Sequence, residues 1–241
     1  CLEEAGHEAV FVGGAVRDHL LGKRAHDIDI ATSAEPNEVK SVFEHTIDIG
    51  IAHGTVLVII DGEPIEVTTY QTEVTYSDAR LPDNVSFVKS LKEDLLRRDF
   101  TMNALAMTKN RELIDPFDGR KDIDNGLIRA VGNPVERFRE DALRMLRAIR
   151  FSSVLNFDIE EETFRAICAN ANQIRHISIE RLKIEMDKLF TGLNPVKAFN
   201  YLASSGLCTY IPLFPETVEG LDRSVPFETA FEGWAFLTVV G

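Results

Sequence analysis

GGAVRDHLLGKRAHDIDI, residues 13–30, sets the architecture expected of this chain. A Gly-Gly pair stands between an apolar, strand-like run (9–12) and a helix-like run (15–21). At such a junction the backbone N–H groups of a helix start can meet phosphate oxygens. Asp27 and Asp29 follow, one apolar residue apart. In an extended chain alternate side chains share a face. The spacing therefore predicts both carboxylates on one face of a strand, with Ile28 and Ile30 on the other. Carboxylates held together repel, and a hard divalent cation such as magnesium relieves this best, because it takes oxygen ligands and leaves positions for phosphate. A metal beside a phosphate cradle points to phosphoryl transfer.

Working outward, residues 8–12 and 26–31 read as strands, and 36–43 as a helix with Ser33 as a plausible cap and Pro36 in its first turn. Thr55–Ile60, Asp61-Gly62 and 65–70 make a hairpin signal, with Ile65, Val67 and Thr69 on one face and Glu66 and Thr68 on the other. Residues 71–87 carry polar and turn residues with little periodicity, and read as a long mobile loop. After about Pro134 the strand signals stop, and helical patterns cover 135–155, 160–170, 179–190 and 196–204. The chain thus reads as an α+β module followed by an all-helical one, without repeats or low-complexity segments.

The 241 residues, 44% of them hydrophobic, are enough for a core and lean toward two or three modules. No run approaches the roughly 18 apolar residues of a membrane span, and no signal-peptide pattern opens the chain. Cys1, Cys168 and Cys208 are scattered, which fits a reducing, cytoplasmic setting. A net charge of -13 argues against a nucleic-acid partner. Arginines nevertheless outnumber acids between Arg129 and Arg150, so a basic strip on an acidic body is the expectation. Position 1 is Cys, LEEAG reads as a helix end, and FETAFEGWAFLTVVG stops inside an amphipathic pattern. These ends predict a fragment of a longer protein.

On a wheel of about 100° per residue, Phe138, Ala142, Met145, Leu146 and Ile149 of ERFREDALRMLRAIRF share one arc. Glu140, Asp141, Arg144 and Arg147 share the opposite one. One reading is a solvated face carrying i,i+4 pairs such as Glu140–Arg144. The other uses donor and acceptor inventory: a carboxylate only accepts and a guanidinium only donates. Asp141 beside Arg144 matches the amine and neighbouring acceptors of cytosine and adenine. Guanine and uracil place a carbonyl where the amine should be, and would leave groups unpaired.

The ordered motifs GGAVRD…DID (13–29), RRDFTMNALAM (97–107), DPFDGRKDID (115–124), EDALRMLRAIRF (140–151) and HISIERLKIEMDKLF (176–190) resemble those of class II tRNA nucleotidyltransferases, the CCA-adding enzymes of the poly(A) polymerase/tRNA nucleotidyltransferase family. The resemblance runs along nearly the whole chain. It implies a DNA polymerase beta-like nucleotidyltransferase head over 1–127, a helical neck over 128–192 and the start of a helical body over 193–241. It implies that Asp27 and Asp29 bind Mg2+, and that Gly14 and Arg17 contact the nucleotide. Arg98, Asp141, Arg144, Arg147 and Arg150 complete the pocket, with Asp141 and Arg144 reading the base. The substrates it implies are tRNA, CTP and ATP. The stretch IDIGIAHGTVLVII (47–60) lacks the arginine pair of bacterial poly(A) polymerases, and the loop 71–87 resembles the full-length loop of enzymes that add the complete CCA rather than CC alone.

Glu66 falls on the polar face of a strand expected to neighbour that of Asp27 and Asp29. It is a candidate third carboxylate that activates the attacking hydroxyl, or else an exposed strand glutamate. Asp18 either orients Arg17 or is a surface acid of the first helical turn. Arg97 reads as structural or exposed, His53 as a turn residue, and Asp115 and Asp118 as fixing a turn around Pro116 and Gly119. Two readings outside the family stay open: a nucleotidyltransferase acting on a small molecule, and a catalytically silent RNA-binding module.

Overall fold

The computed structural model describes residues 1–25, 27–50, 54–75, 84–211 and 227–240. The described residues up to Ile123 form one compact unit, and those from Asp124 onward form a second.

The first unit is α+β. Strands β1 (Ala9–Val12), β2 (Asp29–Thr32), β3 (Thr46–Gly50), β4 (Thr55–Ile60) and β5 (Glu63–Thr69) precede an antiparallel ribbon of β6 (Gln71–Thr75) and β7 (Asn84–Phe87). β8 (Ala106–Met107) and β9 (Leu113–Ile114) then return to the main sheet. Among the described residues that sheet has seven strands in the order β3-β4-β5-β2-β1-β8-β9. β2 and β5 run parallel, and the other neighbours are antiparallel. Helices α1 (Gly14–Leu20), α2 (Pro36–Val42), α3 (Leu91–Leu96) and α4 (Gly119–Asp124) complete it.

The hairpin forms as its sequence predicts. Ile60 pairs with Glu63 across Asp61 and Gly62, whose φ values of 51° and 84° define the primed turn that matches strand twist. Val56, Val58 and Val67 point to the face that α2 covers, and pack with Leu2, Ala34 and Val39. Register then puts Asp29 and Glu66 on the opposite face, as direct neighbours across the parallel β2–β5 pair.

Several expectations need correcting. The second strand begins at Asp29, so Asp27 lies in a bend before it and does not share a strand face with Asp29. Ser33 does not cap α2: its hydroxyl accepts from the Glu8 N–H at 2.8 Å, while the Glu38 carboxylate accepts the Glu35 N–H at 2.8 Å at the helix start. The segment read as a mobile loop contains the β6–β7 ribbon; residues 76–83 lie outside the described residues, as does His53. LEEAG forms turns, not a helix end.

The second unit is helical: α5 (Pro134–Glu140), α6 (Leu143–Leu155), α7 (Glu161–Asn170), α8 (Ile179–Phe190), α9 (Pro195–Ser205) and α10 (Ala230–Val240). It also holds a short parallel pair, β10 (Leu127–Ile128) with β11 (Asp158–Ile159), so strands do not stop at Pro134. Asn133 caps α5 by accepting from the Val135 N–H at 2.9 Å. The single helix expected over 135–155 is broken at Asp141, whose backbone is extended (φ -144°, ψ 105°). Its carboxylate accepts the Leu143 N–H at 3.0 Å and so starts α6. α6 packs against α8 and α9. Among the described residues no helix is long and apolar enough to cross a membrane.

Asp115 fixes the turn before α4, accepting the N–H groups of Gly119 and Arg120 at 2.8 and 2.9 Å. Gly119 is needed for a different reason. A Cβ there would sit 2.1 Å from the Thr101 carbonyl oxygen, a backbone atom that cannot swing aside. Gly119→Ala should therefore destabilise by roughly 3 kcal/mol, the upper part of the range for overpacking. A urea titration that left the midpoint unchanged would contradict the close approach.

Candidate active site

The strand-to-helix turn between β1 and α1 rests on Gly13. Its φ of 67° with ψ of -136° lies outside the conformations open to other residues. A Cβ at Gly13 would meet Arg98 Nη1 at 3.1 Å and Asp29 Oδ2 at 3.5 Å. The first glycine therefore lies between the cation of RRD and the second acid of DID. At Gly14 the added Cβ would contact Arg17 Nη2 at 3.5 Å.

Exposure rises along the approach to the strand: Ala31 is buried, Asp29 half-buried and Asp27 exposed. Burial, then the neighbouring Glu66 carboxylate, push the Asp29 carboxyl above its ordinary value. Arg98 pulls it back, and Asp27 adds a smaller push. Asp27, Asp29 and Glu66 therefore form one repulsive acidic group at the sheet rim. Among the described residues no group of three His, Cys, Asp or Glu side chains is placed to hold a metal ion by itself; Asp27 and Asp29 offer oxygen alone. This oxygen-only set suits a hard divalent cation that takes its other ligands from phosphate and water.

Arg17 is buried and held rigidly. Its Nε and Nη2 donate to Asp18 Oδ1 at 2.9 and 2.8 Å, and its Nη1 donates to Asn103 Oδ1 at 2.7 Å. Asp18 thus orients Arg17, the reading that helix position alone left open. Arg98 Nη2 donates to Asp94 Oδ2 at 3.1 Å, whereas its buried Nε finds no hydrogen-bond partner among the described residues. It is the Nη1 end of this guanidinium that lies beside the Gly13 turn, a placement that suits phosphate oxygens. Arg97 is structural, with Nε and Nη2 both on Asp94 Oδ1 at 3.1 and 2.9 Å.

In the helical unit the other predicted residues also cluster. Asp141 Oδ2 accepts from Arg181 Nη2 at 2.8 Å. Arg144 is buried in the first turn of α6 and donates from Nη1 to Glu140 Oε2 at 2.7 Å. The Glu140–Arg144 pair exists, but the arc is not a solvated face. Asp141 and Arg144 are one tight turn apart, with the Arg144 N–H on the Asp141 carbonyl at 3.0 Å. Glu185 of α8 receives Arg150 Nε at 2.9 Å and Arg147 Nη1 at 3.4 Å. The Arg150 guanidinium carbon lies 3.5 Å from the Phe151 ring centroid.

The sequence reading missed Asp94, Asn103, Arg181 and Glu185. Asp94 holds Arg98, Asn103 holds Arg17, Arg181 holds Asp141, and Glu185 holds both Arg147 and Arg150. Two left a signal. Glu185 sits on the arc of Leu182, Met186 and Leu189, a charge in a core position. Asn103 interrupts an apolar run, and its Nδ2 donates to Asp99 Oδ1 at 3.0 Å while its Oδ1 serves Arg17.

A seven-stranded mixed sheet with an acidic rim, a glycine turn and flanking arginines defines a nucleotidyltransferase-type head. The family model described as "Poly A polymerase head domain" matches residues 9–129, and that described as "Probable RNA and SrmB- binding site of polymerase A" matches residues 156–220. The chain belongs to the poly(A) polymerase/tRNA nucleotidyltransferase family. It is 50% identical over 244 residues to the CCA-adding enzyme of Ligilactobacillus salivarius, covering 99% of this chain and 60% of that protein. Among solved structures it is similar to the Bacillus stearothermophilus CCA-adding enzyme in complex with CTP, at 50% identity and a TM-score of 0.83, covering 88% of this chain and 51% of the other. It is also similar to the Thermotoga maritima CCA-adding enzyme complexed with tRNA, at 29% identity and a TM-score of 0.72, covering 89% and 50%. The chain thus spans about 60% of the first relative and about half of each solved chain.

Proposed function

We propose that the chain is the catalytic portion of a cytoplasmic tRNA nucleotidyltransferase that adds C, C and A to the 3′ end of tRNA from CTP and ATP, releasing pyrophosphate. The observation that carries this reading is Asp29 and Glu66 as direct neighbours on parallel strands, with Gly13 between Asp29 and Arg98. Similarity to enzymes solved with CTP and with tRNA supports the substrate class. The reading keeps the division into head (1–127), neck (128–192) and start of body (193–241).

In this reading Asp27 and Asp29 hold Mg2+, which neutralises charge on the phosphates and leaving group when bound. Glu66 takes the proton of the primer 3′-hydroxyl as its oxygen attacks the α-phosphate. Gly14, Arg17 and Arg98 place the triphosphate, since such transfer depends on positioning and charge. Asp141 and Arg144 read the base edge, and Arg147 and Arg150 complete the nucleotide pocket. Asp141 already accepts hydrogen bonds from Leu143 and Arg181, and a carboxylate with about four lone-pair sites retains capacity for a base amine.

Incubation with tRNA lacking its 3′ end, Mg2+ and each labelled nucleotide, followed by sequencing of the products, tests the reading. Incorporation of C, C and then A is expected. A-only tails would indicate a poly(A) polymerase, and transfer to a small hydroxyl acceptor without RNA would indicate the small-molecule class. Asp141→Asn keeps an acceptor for the Leu143 N–H but offers an amine to the base. It should lower discrimination of C and A against U and G about 10- to 100-fold. Full selectivity in this variant would remove Asp141 from base reading.

A further inference from the structure

We infer that Asp94 is the positioning residue that fixes Arg98 at the triphosphate, an inference resting on the proposed nucleotide transfer. Asp94 lies on α3 one turn before Arg98, and its side chain is only 1% exposed. Its two oxygens divide the labour. Oδ1 receives Nε and Nη2 of Arg97, and Oδ2 receives Nη2 of Arg98 at 3.1 Å. Oδ1 also faces the Gln71 N–H at 3.4 Å, at the base of the β6–β7 ribbon.

The opposite edge of the Arg98 guanidinium faces Gly13, where an added Cβ would lie 3.1 Å from Nη1. Arg98 is thus clamped by Nη2 while Nη1 is presented to the glycine turn, and among the described residues Nε has no hydrogen-bond partner. A long, flexible cation held by one edge loses little further freedom when the other edge meets a phosphate. Released from Asp94, the same side chain would regain its rotamer freedom and would have to be ordered again each time a triphosphate binds.

Only a carboxylate can serve both arginines. An amide at position 94 has one acceptor oxygen, so its NH2 must confront one guanidinium. Asp94→Asn is expected to raise KM for CTP and ATP about tenfold, with kcat and the KM for primer tRNA within about twofold of the starting values. In an Arg98→Ala background the same substitution should change the CTP KM by less than about twofold, since the residue it acts through is gone. Asp94→Glu keeps the charge on a longer arm and should give an intermediate KM. It also serves as the test if the asparagine variant does not fold.

An unchanged CTP KM overturns the inference. So does a loss of kcat alone, or an equal loss with and without Arg98, each of which marks a merely structural buried pair. If the wild-type chain transfers no nucleotide, the activity reading fails by itself. Equilibrium titration with CTP then decides on Asp94, through a Kd that weakens in Asp94→Asn or does not.

Discussion

Asp29→Asn is expected to abolish nucleotide transfer, by on the order of 10³-fold or more, while leaving the protein at least as stable as before. The two halves of this expectation share one cause. Asp29 is half-buried beside Glu66, and burial followed by that neighbouring charge raises its carboxyl above the ordinary value. A carboxyl whose pKa is raised on folding contributes stability only while protonated. That contribution is complete below the unfolded value and is lost as pH rises through the folded value. At neutral pH the ionised Asp29 is therefore a strain on the fold, retained for what it does to a bound cation and phosphate. Asparagine keeps the shape and removes the charge. Thermal melting without divalent ions should show a midpoint equal to or above that of the starting chain, with the difference shrinking as pH falls below the ordinary carboxylate range. With Mg2+ and CTP present, the starting chain should gain stability by mass action and the variant should not. A variant that melts well below the starting chain would show Asp29 to be structural. One that still transfers nucleotide would remove it from the chemistry.

How much of this was legible depended on whether local rules decided each element. The β4–β5 hairpin was, because Asp61-Gly62 fixes a turn and alternation fixes a face. The glycine turn and the acidic pair were visible as residue types, but their geometry was not. Asp27 falls outside the strand, a boundary that alternation cannot reveal. The break between α5 and α6 left no glycine or proline. It is made by the Asp141 carboxylate capping Leu143, and the apolar periodicity runs straight through it. The β6–β7 ribbon and β11 were missed because short strands without an apolar alternation are specified by their pairing partners, not by a local pattern. Least visible were the partners that hold the arginines. Asp94 and Glu185 act across turns or between helices, and single-sequence patterns carry such contacts only as misplaced charges.

Glu185 also carries the largest stability effect expected in the helical unit. The Glu185 side chain is 5% exposed and the Arg150 side chain 9% exposed, with Nε to Oε2 at 2.9 Å. Arginine cannot shed its proton to escape burial. Glu185→Ala should therefore cost about 3–5 kcal/mol, because it removes the buried carboxylate that receives both Arg150 and Arg147. For a protein of this size that corresponds to a melting point lower by roughly 10 °C. The ring contact between Arg150 and Phe151 offsets only about 0.5–2 kcal/mol. Two further variants separate charge from packing. Glu185→Gln preserves volume, so a loss close to that of alanine assigns the effect to charge, and a negligible loss assigns it to packing. Replacing both partners, Glu185→Leu with Arg150→Met, should recover most of the stability, because apolar residues of similar size often substitute for a buried pair without penalty. The double variant should nonetheless bind CTP poorly if Arg150 belongs to the nucleotide pocket. Recovery of stability together with full CTP affinity would show that the Glu185–Arg150 pair serves the fold alone.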